Sequence, residues 1–308
     1  MKKPLIFIFV MVFTILASGA EKLNIYCTTF PVYLFTRNLT AGAAGVNVEL
    51  MIPAGTGCPH DYVVTPQDLK RLSVKNLLVI RNGLGLDDFI LKPLARVNPG
   101  AVVISASDGI KEVIHEKRSC GHHHCHGDHG KHEEKISGGN PHLFASPDTA
   151  LLVVRNIAAA LRKQDPSNAA LYSRAEESYL KKLNDLKEKF TTLAVVLKGK
   201  HIAVQHDVFA YLARLSGLHI AAEISKEGVS PSASEMRTMV RQFKKENVVL
   251  ILTEPQYPDR TALVLSRECR IPVIELDPVA SGPADAAADH YEKVMNRNFE
   301  KIRKALVK

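Results

Sequence analysis

The sequence predicts an α/β protein made of two similar parallel-sheet lobes that are joined by one long rigid helix. Short apolar runs rich in β-branched residues alternate with stretches of helix-like spacing, and this alternation occurs in two separate series. Strands that alternate with helices form parallel sheets covered on both faces. One long amphipathic segment separates the two series, and it predicts the connecting helix.

The first lobe is predicted over residues 21–165 and the second over residues 198–308. The runs expected to form strands in the first lobe are Leu23–Thr29, Val46–Pro53, Asn76–Gly83 and Ala101–Ser107. Those expected in the second lobe are His201–Asp207, His219–Ser225, Val248–Pro255 and Pro272–Pro278. A polar turn follows each run, as is usual where a strand ends.

The linking helix is predicted over residues 166–197. Pro166 and Ser167 form a start signal, with Ser167 as the expected N-cap. Apolar residues then recur at spacings of three and four from Tyr172 to Leu193, among lysines and glutamates. At 1.5 Å per residue the helix is ~45 Å long, which is enough to pass from one lobe to the other.

Residues 1–20 have the pattern of a secretory signal peptide. Two lysines near the start are followed by an apolar run and then by small residues, so we expect cleavage after Ala20. No later stretch approaches the roughly 18 uninterrupted apolar residues that a membrane-spanning helix needs. The sequence therefore predicts an exported protein.

The composition argues against nucleic-acid binding. The formal net charge is +8, but no basic cluster alternates with aromatic residues and the chain has no tryptophan. All five cysteines lie beyond the signal peptide, where disulfides are permitted. Their odd number leaves at least one thiol unpaired unless a metal or another chain takes it.

A histidine-rich loop is predicted at residues 115–135. Nitrogen and sulfur ligands suit zinc and copper better than magnesium or calcium. The tract lacks the two separated ligand pairs of a structural zinc site, so we expect it to bind metal weakly as an auxiliary site. Its histidines are His115, His122, His123, His124, His126, His129 and His132.

Four stronger candidate ligands lie where ligands are expected in an open α/β sheet, beyond the carboxyl ends of the strands. His60 follows the second predicted strand, and His142 follows the polar loop. His206 closes the first strand of the second lobe, and Asp277 closes its last strand. Two ligands from each lobe place the ion in the cleft between the lobes, although Asp277 before Pro278 is also a residue that initiates turns.

Seven segments of the chain resemble, in order and separation, the solute-binding proteins of bacterial zinc and manganese ABC transporters. They are PHDYVVTPQDL, NGLGLDDF, NPHLFASP, VQHDVFAYLA, VSPSASEM, TEPQY and ELDPVASG. The resemblance implies a periplasmic receptor with two α/β lobes, one joining helix and a membrane permease as partner. It also implies His60, His142, His206 and Asp277 as the ligands; we expect a monomer.

The resemblance favours Zn²⁺ over Mn²⁺ as the ion. Manganese receptors of this family usually carry a carboxylate where this chain has His206, and imidazole-rich sites favour zinc. A manganese receptor is the alternative within the family. Two alternatives from other classes are a periplasmic zinc buffer or chaperone and a zinc hydrolase. A hydrolase needs a general base, for which Glu254 is the obvious candidate, and we expect no enzymatic activity.

Two further residues have two interpretations each. Glu254, at a strand end, is either a partner of a ligand imidazole or a solvent-facing turn carboxylate. Cys58 departs from the small or acidic residue that the family carries before Pro-His. It is either a free thiol near the metal or the disulfide partner of Cys27.

Overall fold

A computed structural model describes residues 22–56, 59, 62–115, 138–224 and 231–307. Within these residues the chain forms two four-stranded parallel sheets. The strands of the first sheet are β1 (Leu23–Cys27), β2 (Val46–Leu50), β3 (Leu77–Arg81) and β4 (Val102–Ser105). Those of the second are β5 (His201–Val204), β6 (His219–Glu223), β7 (Val248–Thr253) and β8 (Val273–Glu275).

Helices follow the strands in both lobes. Those that precede β5 are α1 (Phe30–Thr40), α2 (Pro66–Leu72), α3 (Leu91–Val97), α4 (Pro147–Gln164) and α5 (Ala169–Leu197). Those that follow β5 are α6 (Ala210–Leu215), α7 (Ala233–Lys245), α8 (Arg260–Cys269) and α9 (His290–Leu306). The prediction of two α/β lobes is confirmed, and each strand lies within the run predicted for it.

The two sheets have the same strand order. The first runs β2-β1-β3-β4 and the second runs β6-β5-β7-β8, with all neighbours parallel. In each sheet the chain leaves the two central strands toward opposite sides. A crevice therefore opens beyond their carboxyl ends, which is where open α/β sheets bind ligands.

The long helix α5 connects the lobes. It contacts α1 and α4 on the side of the first lobe and α6 and α9 on the side of the second. The large side chains of the predicted apolar stripe are buried from Tyr172 to Leu193, with Phe190 fully enclosed. Each large apolar side chain that is buried here stabilises this connection by about 1.5–3 kcal/mol.

The start of α5 differs from the prediction. Ser167 lies in a short 3-10 turn, Pro166–Asn168, and the α-helix begins after Asn168, so Ser167 is not the N-cap. The side chains of Ser167, Asn168 and Tyr172 donate hydrogen bonds to the Asp165 carboxylate instead. Asp165 thereby ties the helix start to the end of α4.

Direct hydrogen bonds also join the lobes away from α5. Arg37 and Asn38 on α1 donate to the carbonyls of Ala286 and Ala288, each at 2.8 Å. The backbone N–H of Gly282 donates to the carbonyl of Ala54 at 2.9 Å. Across the part of the chain that the structure describes, no helix combines the length and apolar character needed to cross a membrane.

Candidate metal centre

Two histidines and one aspartate form a compact group in the cleft. One side-chain ligand atom from each of His142, His206 and Asp207 lies within 4.8 Å of the others, the sole such group of three among the described residues. The Nε2 of His206 is 3.1 Å from Oδ1 of Asp207, and the two imidazole centroids are 5.0 Å apart. Two imidazoles and a carboxylate are a ligand set typical of zinc.

Both histidines directly precede a short 3-10 turn. His206 lies two residues beyond the end of β5 and precedes the turn Asp207–Phe209. His142 precedes a second 3-10 turn, Leu143–Ala145, whose residues are buried. The hydroxyl of Tyr291 on α9 donates to the carbonyl of Phe144 at 2.8 Å, so the second lobe holds the segment that carries His142.

A buried turn after β3 holds the residue just before His142. The side chain of Asn82 donates to the carbonyl of Pro141 at 3.0 Å. Asp87, fully buried, accepts hydrogen bonds from the N–H groups of Asn82 and Gly83 and from the Thr28 hydroxyl. Gly83 has φ +87°, and a Cβ there would collide with the Ser105 hydroxyl, so the turn requires glycine. Gly83 of NGLGLDDF therefore shapes a turn that supports the cleft.

Glu254 lies at the carboxyl end of β7, next to the β5 end that carries His206. Its side chain is 1% exposed, which rules out the solvent-facing interpretation, and its Oε1 lies 3.8 Å from Nδ1 of His206. Burial, with the negative charges of Asp207, Glu223 and Asp277, raises the pKa of Glu254 to about 8. A cation in the cleft would favour the ionised carboxylate. Its role as partner of a ligand imidazole stays a prediction.

The metal-free protein should lose stability as the pH rises toward 8, and Glu254→Gln should remove much of this loss. The folded-state pKa of Glu254 is raised above its ordinary value of 4.5, so the folded protein holds a proton that the unfolded chain releases. The stabilisation from this proton is present below that ordinary value and disappears as the pH passes the folded pKa.

Urea unfolding of the metal-free protein between pH 5 and pH 8 measures this effect, expected at roughly 2–4 kcal/mol. Glu275→Gln, at an exposed glutamate of β8, serves as the control and should keep the wild-type pH dependence. Equal pH dependence in wild type and Glu254→Gln would show that Glu254 is ionised in the folded protein.

A small pocket is bordered by both imidazoles of the group, those of His142 and His206. It encloses about 10 Å³ of free space and is lined by His142, His206, Glu254, Phe144 and Pro59, among others. This volume is comparable to the room that one water molecule needs. His60 lies outside the described residues, but its neighbour Pro59 borders the pocket.

Asp277 lies just beyond the end of β8, as predicted, and it forms a turn there. Its Oδ1 accepts a hydrogen bond from the N–H of Val279 at 2.8 Å, which is the turn-forming alternative. Its backbone is held by Asn298, and its charge helps to raise the pKa of Glu254, so it lies near the cleft. The carboxylate beside the two imidazoles is that of Asp207, which the sequence analysis missed. Binding of the ion by Asp277 stays a prediction.

The remaining predicted residues lie mostly outside the described part of the chain. Only His115 of the histidine-rich loop is described, and it is exposed beside Gly139. The other six loop histidines, Cys58 and the signal peptide at 1–20 fall outside. Cys27 is a free, fully buried thiol, so the disulfide with Cys58 is not formed in this structure; Cys27 is enclosed in the core at the end of β1.

The chain is similar to known metal-binding proteins in sequence and in fold. The zinc-binding protein AdcA of Streptococcus pyogenes is 28% identical over 307 residues, covering 94% of this chain and 56% of the relative, so the chain spans about half of that protein's length. The high-affinity zinc uptake system protein ZnuA of Bacillus subtilis is 28% identical over 263 residues, covering 82% of this chain and 76% of the relative.

The fold is similar to that of a solved metal complex. The SBP FpvC of Pseudomonas aeruginosa in complex with Mn²⁺ superposes with a TM-score of 0.76 at 28% identity, covering 93% of this chain and 99% of that one. The profile of the ZnuA family, described as zinc-uptake complex component A, periplasmic, matches residues 25–305. This match extends through both lobes and the cleft between them, and the chain belongs to that family.

Proposed function

We propose that this protein captures zinc in the periplasm and delivers it to the permease of an ABC transporter. The observation that carries the proposal is the group formed by His142, His206 and Asp207 at the carboxyl end of the central strand β5. It draws residues from both lobes, so an ion bound there contacts both. Membership of a zinc-uptake family supports the same function.

Zinc is proposed as the cargo because two of the three grouped ligands are imidazoles, which suit zinc better than manganese. His60 and Asp277 would complete the coordination in the full chain. Manganese is the alternative cargo, since FpvC, a structural relative, has been solved with Mn²⁺. We propose that the leader at residues 1–20 directs export and is removed, and that the receptor works as a monomer without enzymatic activity.

Competitive metal titration of the stripped protein tests the cargo. We expect zinc to bind at least 10²-fold more tightly than manganese at pH 7.5, and zinc affinity to fall as the pH drops through the histidine pKa near ~6.5. A preference for manganese would overturn the assignment. Equal zinc affinity at pH 5 and pH 7.5 would contradict an imidazole site.

A growth assay separates uptake from zinc buffering. A strain that lacks the receptor should grow poorly when zinc is limiting and should recover when zinc is added. Loss of a buffer would instead lower tolerance of excess zinc, with normal growth under limitation. The second result would exclude delivery to a permease as the main role.

A further inference from the structure

Asn140, two positions before His142, forms side-chain hydrogen bonds with two members of the metal centre, His142 and Asp207. Its side chain is buried, with the residue 3% exposed. Its backbone is fixed on both sides: its N–H donates to the carbonyl of Ile114 at 2.8 Å, and its carbonyl accepts from the Tyr211 hydroxyl at 2.7 Å. Asn140 is therefore held by the first lobe and by helix α6 of the second.

The hydrogen bonds of its side chain determine which way the amide points. Oδ1 lies 2.9 Å from the backbone N–H of His142, which can only donate, so this atom must be the oxygen. Nδ2 lies 2.9 Å from Oδ2 of Asp207 and 3.1 Å from the Asp207 carbonyl, and both of these can only accept. The reversed amide would place like groups together at each of these contacts.

This orientation fixes the proton on His142. Its Nδ1 lies 3.0 Å from Oδ1 of Asn140, which is an acceptor, so Nδ1 carries the hydrogen in the neutral ring. Nε2 then keeps its lone pair for a metal ion. A ligand histidine commonly gains its orientation and tautomer from such a hydrogen bond on the other ring nitrogen.

The same amide also orients Asp207. Because Nδ2 donates to Oδ2, the other carboxylate oxygen is directed toward His206, at 3.1 Å from its Nε2. It also lies 3.5 Å from the protonated Nδ1 of His142. His142 belongs to the first lobe and Asp207 to the second. One side chain thus aligns groups from both sides of the cleft.

We propose that Asn140 is the positioning residue of the metal centre: it selects the tautomer of His142 and aligns Asp207 across the cleft, so that both lobes present ligands already oriented for the ion. The zinc-binding part of this proposal rests on the proposed function. Asn140 does not touch the ion, and it acts through its two neighbours.

The chemistry of the site accounts for an amide at this position. An aspartate could accept both hydrogen bonds from His142, but it would face Asp207 with a second negative charge and no donor. A leucine of similar size offers neither donor nor acceptor. A glutamine is one methylene longer, and Asn140 lies in a closely packed, buried place.

Three substitutions of Asn140 separate its effect on the tautomer of His142 from its effect on the alignment of Asp207. Asn140→Ala and Asn140→Leu should lower zinc affinity about 10- to 100-fold, the range typical for loss of an outer partner of a ligand. In the metal-free protein, ¹⁵N NMR should show the Nε2–H tautomer of His142 appearing in both variants. Asn140→Asp should keep the Nδ1–H tautomer, because its carboxylate still accepts from His142.

Asn98→Ala provides the matched control. Asn98 is also a partly buried asparagine of the first lobe whose amide donates to two carbonyls, those of Leu72 and Val74. The control should lose thermal stability while keeping zinc affinity and the His142 tautomer. Wild-type affinity and tautomer in Asn140→Ala would overturn the proposal. Failure of the wild-type protein to bind zinc would overturn the proposed function, whereas the tautomer measurement needs no metal and tests Asn140 by itself.

Discussion

Replacing His206 with alanine should weaken zinc binding by roughly 10²- to 10³-fold. Apparent binding energies of zinc in protein sites are about 10–16 kcal/mol, and sharing them among about four ligands assigns roughly 2.5–4 kcal/mol to each. His206 also stands between the Asp207 carboxylate and the buried carboxyl group of Glu254, so its loss leaves these two groups without the imidazole between them. Competition with a chelator of known zinc affinity measures the effect.

The matched control is His219→Ala. His219 begins β6, at the end of the second sheet that is remote from the cleft, and it is exposed. This variant should bind zinc as the wild type does. Deleting residues 120–132 should also cost much less affinity than His206→Ala, because the histidine-rich loop is proposed as an auxiliary site. A larger loss from the deletion would reverse our assignment of primary and auxiliary ligands.

Replacing Asp87 with alanine should lower the free energy of unfolding by about 3–5 kcal/mol. Its fully buried carboxylate accepts from the N–H groups of Asn82 and Gly83 at 2.6 and 3.0 Å and from the Thr28 hydroxyl at 2.5 Å. The substitution leaves these buried donors without their acceptor, at about 1–3 kcal/mol for each donor that water does not reach. Urea denaturation of the metal-free protein at pH 7 measures the loss.

The neighbouring Asp88 serves as the control for Asp87. Its side chain is 56% exposed and forms an ion pair with Arg81 at the surface. Surface ion pairs contribute at most about 1 kcal/mol, so Asp88→Ala should be nearly neutral. A similar stability for the two variants would show that the turn after β3 does not depend on its buried acceptor.

The strands and the long helix were predictable because their signals are local. A strand that is covered on both faces has a continuous apolar, β-branched sequence, and the run that forms β7 has this pattern. The stripe from Tyr172 to Leu193 is likewise a local pattern, that of an amphipathic helix. The start of α5 was mispredicted because a 3-10 turn, Pro166–Asn168, precedes the α-helix, and the Ser167 hydroxyl donates to Asp165 instead of accepting from a backbone N–H of the helix.

The candidate site was only partly predictable because its geometry depends on contacts between the lobes. His142 and His206 were predicted from their places after strands, and the structure brings them together. Asp207 was missed because the predicted strand run extended through it, whereas β5 ends at Val204 and Asp207 begins the 3-10 turn after His206. Asn140 carries no charge and binds no metal, so only its contacts in three dimensions reveal its importance.

The buried thiol of Cys27 has a consequence for oxidation chemistry. Burial raises the pKa of this thiol to about 12, so at pH 7 about one molecule in 10⁵ carries the thiolate. The thiolate is the species that attacks peroxides and disulfides and that binds soft metals. In an oxidising compartment this cysteine can therefore stay reduced without any reductant, because the core that encloses it also suppresses its reactivity.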